Sequence, residues 1–325
     1  MKLPRRKFLR LAAGAAVLPV VSQIATAQTY PARPVRIIVG FAAGGGTDVM
    51  ARLMGQWLSE RLGQAFIIEN RPGASSNLAT EVVVNAPPDG YTLLVATAAN
   101  AINATLYTKL NFNIISDIAP IGGIMRVPHI MAVNPSFPAK TVPEFIAYAK
   151  ANPGRINYAS AGTGSTPHVS GELFNMMAGT KMVHVPYRGG GPAISDLLGG
   201  QVQVMFESMS TTIEYVRAGT LRALAVTTAK RSDALQQVPT VSETVPGYET
   251  TFWGGLSAPK NVSVEIVDKL NKEINAGLAD PKLMARLADL GGVALAGPPA
   301  EFGKLMAEET DKWGKVVKFS GARAD

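Results

Sequence analysis

Three segments of this chain combine glycine with hydroxyl residues and almost no charge: Phe41-Ala-Ala-Gly-Gly-Gly-Thr-Asp48, Ser160-Ala-Gly-Thr-Gly-Ser-Thr-Pro167 and Tyr187-Arg-Gly-Gly-Gly-Pro192. Each follows an apolar run that reads as a strand (35–39, 156–159 and 182–185), and each precedes a helical pattern. A glycine-rich turn that opens a helix exposes unpaired N–H groups and the positive end of the helix dipole. Such a turn suits an anion. One helix end is worth only about 0.3–1 kcal/mol with an anion, whereas micromolar affinity needs roughly 8 kcal/mol. Direct bonds from the main chain and from Thr47, Thr163 and Ser165, together with exclusion of water, must supply the rest. Glycine also serves close packing and positive φ, which would explain any one loop. Three such loops at the carboxyl ends of strands, where open α/β sheets place ligands, favour a bound anion.

Side chains beside these loops have two readings each. Phe41 packs on a ligand's apolar body or belongs to the core. Asp48 caps its helix or faces an amine or a water. Arg188 pairs with a carboxylate or is solvated. Glu207, just past the strand 202–206, reads a ligand donor or joins a contact between lobes. Catalytic signals are absent. There is no cysteine, and His129, His168 and His184 form no metal-spaced pair. Gly44-Gly-Gly46 lacks the Lys-Ser/Thr of a P-loop, and Gly162-Thr-Gly164 lacks the third glycine of a dinucleotide loop. Ser165 and His168, three apart, could act as nucleophile and base, but no orienting acid is in view; a helix cap at Ser165 is the simpler reading. No catalytic residue, metal or cofactor is expected.

Strands alternate with helices from residue 35 to residue 227, which predicts an α/β fold with parallel sheets. Helices are expected at 48–62, 78–85, 141–149, 167–177 and 192–198, with strands at 65–69, 91–97, 130–133, 202–206 and 223–227. After a last strand at 252–258 come helices only, at 264–278, 281–290 and 300–319. Helices without strands of their own must pack on a sheet made elsewhere, so the chain is expected to return to its first part. This gives a discontinuous lobe 1 (28–126 and 252–325) and a lobe 2 (127–251), joined by two crossovers, with a ligand in the cleft between them.

Residues 1–27 read as an export signal. Arg5-Arg6-Lys7 begins a twin-arginine-like basic region, a short apolar stretch follows, and Ala25-Thr-Ala27 is a cleavage site. The formal net charge is +7, from 31 basic and 24 acidic residues. Five of the basic residues lie in the signal, so cleavage after Ala27 leaves 26 against 24. No basic stripe remains to bind nucleic acid. Without cysteine there is no lipid anchor and no disulfide. The expected product is soluble, periplasmic and monomeric.

At these loops the chain strongly resembles the substrate-binding receptors of tripartite tricarboxylate transporters, the Bug (Bordetella uptake gene) family. The matching stretches are Tyr30–Pro34 with Ile37–Asp48, Glu69–Gly73, Pro88–Leu94, Tyr158–Glu172, Val185–Gly200, Leu221–Thr227, Pro239–Val241 and Trp253–Pro259. The resemblance implies a two-lobed periplasmic binding protein of Venus flytrap, type II-like architecture, each lobe a mostly parallel sheet flanked by helices. It implies closure on a small carboxylate held by backbone amides and ordered waters. It also implies delivery to a membrane permease, with no cofactor and no catalysis. The ligand residues it implies are Phe41, Ala43, Gly44, Gly45, Thr47 and Asp48 in the first loop, with Thr97 and Asn100 beside it. From the second lobe they are Thr163, Gly164, Ser165 and His168, then Arg188, Gly189 and the acid Glu207. Three departures stand out: Ala43 replaces a usual proline, Ser75-Ser76 a usual glycine pair, and Glu207 a common aspartate. The alternatives are a secreted hydrolase using Ser165 and His168, a ligand sensor for a signalling partner, and a structural protein without a cleft.

Overall fold

The computed structural model describes residues 30–44, 46–187, 189–289 and 291–324. The export-signal reading falls on residues 1–27 and lies outside them. The chain from Arg33 onward folds as one unit.

Among the described residues ten strands form one sheet: β1 (Val35–Val39), β2 (Phe66–Asn70), β3 (Thr92–Thr97), β4 (Ile118–Val133), β5 (Asn157–Ser160), β6 (Val183–Pro186), β7 (Val204–Ser208), β8 (Arg222–Val226), β9 (Thr251–Pro259) and β10 (Val293–Ala294). The order is β2-β1-β3-β9-β4-β7-β5-β6, with β8 and β10 also on β4. β2, β1 and β3 run parallel, as do β6, β5 and β7. β9 is antiparallel to β3 and β4, and β4 is antiparallel to β7, β8 and β10. The α/β reading holds, and two parallel three-strand groups are completed by antiparallel strands into a mixed sheet.

β4 is the element least visible beforehand. Its 16 residues pair with β9 through Pro128 and with β7 and β8 from His129 onward. Only 130–133 was expected, because Pro120, Gly122, Gly123 and Pro128 read as breaks in a strand. The ladder absorbs them with register shifts between Pro120 and Gly122 and between Gly123 and Met125. Here β9 comes very close: a Cβ on Gly255 would lie 2.4 Å from the Gly122 carbonyl oxygen and 2.5 Å from the Phe302 ring. β10 adds one short strand where helices alone were expected.

The helices are α1 (Gly46–Leu62), α2 (Asn77–Val84), α3 (Ala98–Leu106), α4 (Val142–Ala151), α5 (Thr166–Ala178), α6 (Gly190–Leu198), α7 (Met209–Arg217), α8 (Val264–Gly277), α9 (Pro281–Asp289) and α10 (Pro299–Ser320). α5 shows why they start and stop. The Ser165 hydroxyl accepts from the His168 N–H, Pro167 sits in the first turn, and Gly179 ends the helix at φ 64°. The unexpected helices are α3 and α7. Their serine, threonine and asparagine content suggests turns, because such side chains compete for backbone bonds.

α10 packs on α3, β4 and α5, so the end of the chain meets β4 and a helix that follows a strand of each parallel group. Its anchor is Glu309, which is nearly buried. The indoles of Trp253 on β9 and Trp313 on α10 both donate to Glu309 Oε2, at 3.0 and 2.8 Å, and Lys312 donates to Oε1 at 2.9 Å. Both indoles are fully buried. Removing the carboxylate leaves two buried N–H donors without an acceptor, at about 1–3 kcal/mol each. Glu309→Ala should therefore lose about 2–6 kcal/mol in urea denaturation followed by tryptophan fluorescence. Glu309→Gln, which keeps an acceptor oxygen, should lose less, and a loss below about 1 kcal/mol for the alanine variant would show the cluster to be incidental.

Candidate functional site

A cavity of about 530 Å³ lies among the carboxyl ends of the parallel strands. Residues from the first turns of five helices line it: Gly46 and Thr47 of α1, Ala99 of α3, Thr166 and Pro167 of α5, Gly190 and Gly191 of α6, and Ser210 and Thr211 of α7. Three of these helix starts were legible as glycine loops. The other two follow β3 and β7 with no intervening loop. Met125, Val127 and His129 of β4 and Phe252 of β9 complete the wall, so the connecting strands contribute an apolar surface. Among the described lining residues, Glu207 and His129 alone carry titratable side chains, and no lysine or arginine is present.

Of the expected site residues, Phe41, Ala43, Thr47, Thr97, Thr163, Gly164, Ser165, Gly189 and Glu207 line this cavity. Gly45 and Arg188 lie outside the described residues. Gly44, Asp48, Asn100 and His168 are not among the cavity's lining residues; Gly44 is exposed, whereas Asp48, Asn100 and His168 are buried and bonded to the loops beside the cavity.

Asp48 is turned back into its own loop. It accepts from the Gly44 N–H at 2.9 Å, from Arg52 Nε at 2.8 Å and from Asn70 Nδ2 at 2.9 Å. Burial alone would raise its pKa, but these bonds outweigh burial and keep the carboxyl below its usual range. The chain's own carboxylate thus consumes the Gly44 amide. The N–H groups of Gly46 and Thr47 meet no backbone acceptor among the described residues. Asn100 forms a reciprocal cap with Thr97 and donates to Thr80 Oγ1 at 2.8 Å.

The second loop is propped from behind by two imidazoles. His168 Nδ1 accepts from the Gly164 N–H at 3.2 Å. His184 Nε2 lies 2.6 Å from Ser160 Oγ, which accepts from the Gly162 N–H at 3.1 Å. The two rings stack with centroids 3.9 Å apart, and His184 stacks on Tyr158 in turn. Burial drives His168 down to about 4, and burial with the neighbouring ring drives His184 down to about 3. Both are neutral, as the acceptor role of His168 requires. The hydrolase dyad is not assembled: Ser165 Oγ donates to the Gly162 carbonyl at 2.6 Å, and His168 Nδ1 is occupied by Gly164.

Several wall residues escaped sequence reasoning, among them Ser75, Met125, Val127, His129 and Phe252. Ser75 left a trace, as part of the departure from a glycine pair. Ala74, Ser75 and Ser76 take φ of 46°, 49° and 80°, three consecutive left-handed residues that are not glycine. Each such residue costs about 1–2 kcal/mol. Asn103 Nδ2 steadies the segment, donating to the Ser75 carbonyl at 2.7 Å. Across the cavity, a Cβ on Gly164 (φ 81°) would strike Leu106 at 2.4 Å, so a side chain there would separate the second loop from α3.

The histidine prop has a pH signature. The unfolded chain takes up a proton at His168 near its ordinary value of 6.5, while the native state resists until about 4. Its contribution is therefore fully present above pH 6.5 and is lost as pH falls toward 4. Between those values the slope is up to about 1.4 kcal/mol per pH unit for one proton. Burial raises the pKa of Glu172 and Glu207, which act in the opposite sense, so the test is a comparison with the parent. His168→Asn, whose amide oxygen can replace Nδ1, should match the parent near pH 7.5. It should lose stability less steeply between pH 6 and 4.5 in a urea-midpoint series, and an unchanged slope would refute a neutral imidazole here.

The comparisons with known proteins agree with one another. A family model described as Tripartite tricarboxylate transporter family receptor matches residues 50–321. The chain is 35% identical to Protein BugT of Bordetella pertussis, over 92% of each chain. Among solved structures, it is similar to an R. palustris protein with adipate at 37% identity and a TM-score of 0.83, covering 90% of this chain and 99% of that one. It is also similar to MatC from Rhodopseudomonas palustris with bound malate, at 33% identity and a TM-score of 0.79, covering 89% of this chain and 100% of that one. This chain belongs to the receptor family of tripartite tricarboxylate transporters, which are periplasmic solute-binding proteins and not enzymes.

Proposed function

We propose that the protein is exported, cleaved after Ala27, and captures a small organic acid in the five-helix cavity. In this reading, residues 28–126 with 252–325 and residues 127–251 are two lobes that close on the ligand. The loaded monomer then delivers it to the membrane permease of a tripartite transporter. The ligand carboxylate is held by main-chain N–H groups, helped by Thr47, Thr97, Thr163 and Ser165. Asp48, Asn100 and His168 shape the loops that present those groups, and Gly44, Gly45, Arg188 and Gly189 belong to the same loops.

The observation that carries this reading is the convergence of five helix starts on a cavity with no described lysine or arginine in its wall. Five helix ends together contribute about 1.5–5 kcal/mol to an anion. That sum falls short of the roughly 8 kcal/mol of a micromolar complex, so direct hydrogen bonds and burial of the ligand's carbon chain must add to it. Adipate and malate in two structural relatives support an acid as the ligand.

A thermal-shift panel of mono- and dicarboxylates, amines and neutral sugars tests the ligand class. An acid at about 100 times its Kd should add about 2.7 kcal/mol of stability, and the radius of gyration from small-angle scattering should fall on saturation. Thr47→Ala should weaken the best acid about ten- to a hundredfold, the worth of one hydrogen bond to a charged group. A shift with amines or sugars and none with acids would sink the proposal.

A further inference from the structure

Glu207 is the one acidic side chain among the described residues that line the cavity, and it is more than nine-tenths buried. Its Oε1 accepts from the Ser208 N–H at 2.9 Å. Its Oε2 has no partner among the described residues. That oxygen lies under the first turn of α6, where a Cβ on Gly190 would be 3.2 Å away. The N–H groups of Gly190 and Gly191 likewise meet no backbone acceptor among the described residues. One oxygen engaged as an acceptor and the other unengaged is the pattern of a neutral carboxylic acid, whose O–H still needs an acceptor. A buried polar group left in this state is costly unless a ligand completes it.

We propose that Glu207 binds as the neutral acid and donates from Oε2 to the second acidic group of a dicarboxylate, so that diacids are captured together with one proton. This deepens the carboxylate-receptor reading and rests on it. The proton comes from solvent, resides on Oε2 and is shared in an O–H···O⁻ bond with the ligand; no bond to carbon changes. The α6 N–H groups beside it, those of Gly190 and Gly191, are placed to donate to the same carboxylate. A monoacid would leave the Oε2 hydroxyl unpaired.

The surroundings favour the neutral form. Burial pushes Glu207 up to about 7, against the downward pull of the Ser208 N–H and the Thr211 hydroxyl. On β4, next to β7, His129 is held neutral, driven down to about 3 by burial and by Lys312. Its Nδ1 also lacks a partner among the described residues. No ion pair to Glu207 is present among the described residues, so only these two hydrogen bonds oppose burial, and burial outweighs them. An entering dianion raises the proton affinity of the site further.

The test pairs succinate, glutarate and adipate with butyrate, pentanoate and hexanoate in titration calorimetry of the mature protein from pH 6 to 9. The acids themselves stay ionised over most of this range. At least one diacid should bind more tightly than the monoacid of its length. Its affinity should hold below pH 7 and then fall about tenfold per pH unit above it, because binding must then take up a proton. Binding at pH 8 in phosphate and in Tris should differ in enthalpy by about one buffer ionisation heat, a readout that needs no variant. Glu207→Gln, which offers an N–H donor at every pH, should bind the diacid with a flat pH profile and exceed the parent at pH 8.5. Diacids and monoacids binding alike with no proton uptake would overturn this proposal while leaving the acid receptor intact. Preference for 4-aminobutyrate, rising with pH and lost in the glutamine variant, would also overturn it, by making Glu207 an ionised partner. Binding of no acid at all would remove the underlying reading as well.

Discussion

The organisation of this protein depends on one constraint: the positive pole of its cavity is built from main-chain N–H groups at helix starts. Such groups cannot swing toward a ligand as a lysine does. They must be aimed by the strands that feed them, which is why five strand-to-helix junctions meet at one place. The absence of a described cation in the wall follows the same logic. Fixed dipoles need no counter-charge in the empty state, whereas a buried lysine or arginine would.

Aiming amides also means using some of them up. Gly44 donates to Asp48, and Gly162 and Gly164 donate to Ser160 and His168. These bonds hold each loop open in a set shape and leave other N–H groups, such as those of Gly46, Thr47, Gly190 and Gly191, without backbone acceptors. The loops therefore work as frames whose inner bonds position a few outward donors. Neutral histidines suit this task because an imidazole nitrogen with a lone pair can accept from glycine.

β4 and β9 connect the two parallel groups and also contribute the apolar wall of the cavity. Any movement of one group against the other must bend these strands. The Trp253–Glu309–Trp313 cluster ties β9 to α10, which packs on β4, α3 and α5. The left-handed stretch Ala74–Ser76 and the close approach of Gly164 to Leu106 mark where the two sides already meet.

Local patterns determined much of this. Glycine after an apolar run locates a strand-to-helix turn by itself, since few other residues permit its backbone angles. The α/β class and three of the five helix starts were therefore readable from the chain. α3 and α7 were not, because their polar first turns resemble loops until a sheet positions them. β4 was hidden by prolines and glycines that only a bulged ladder can accommodate. The fate of Asp48 and His168 could not be read from spacing, for a hydrogen bond to Gly44 or Gly164 depends on how a loop folds over its own helix. The environment of Glu207 was likewise undecided: its type was plain in the sequence. That it is buried, with one oxygen bonded and the other not, arises from the meeting of β7, α6 and α7, and burial by distant segments decides the charge of a carboxyl more than its neighbours in sequence do.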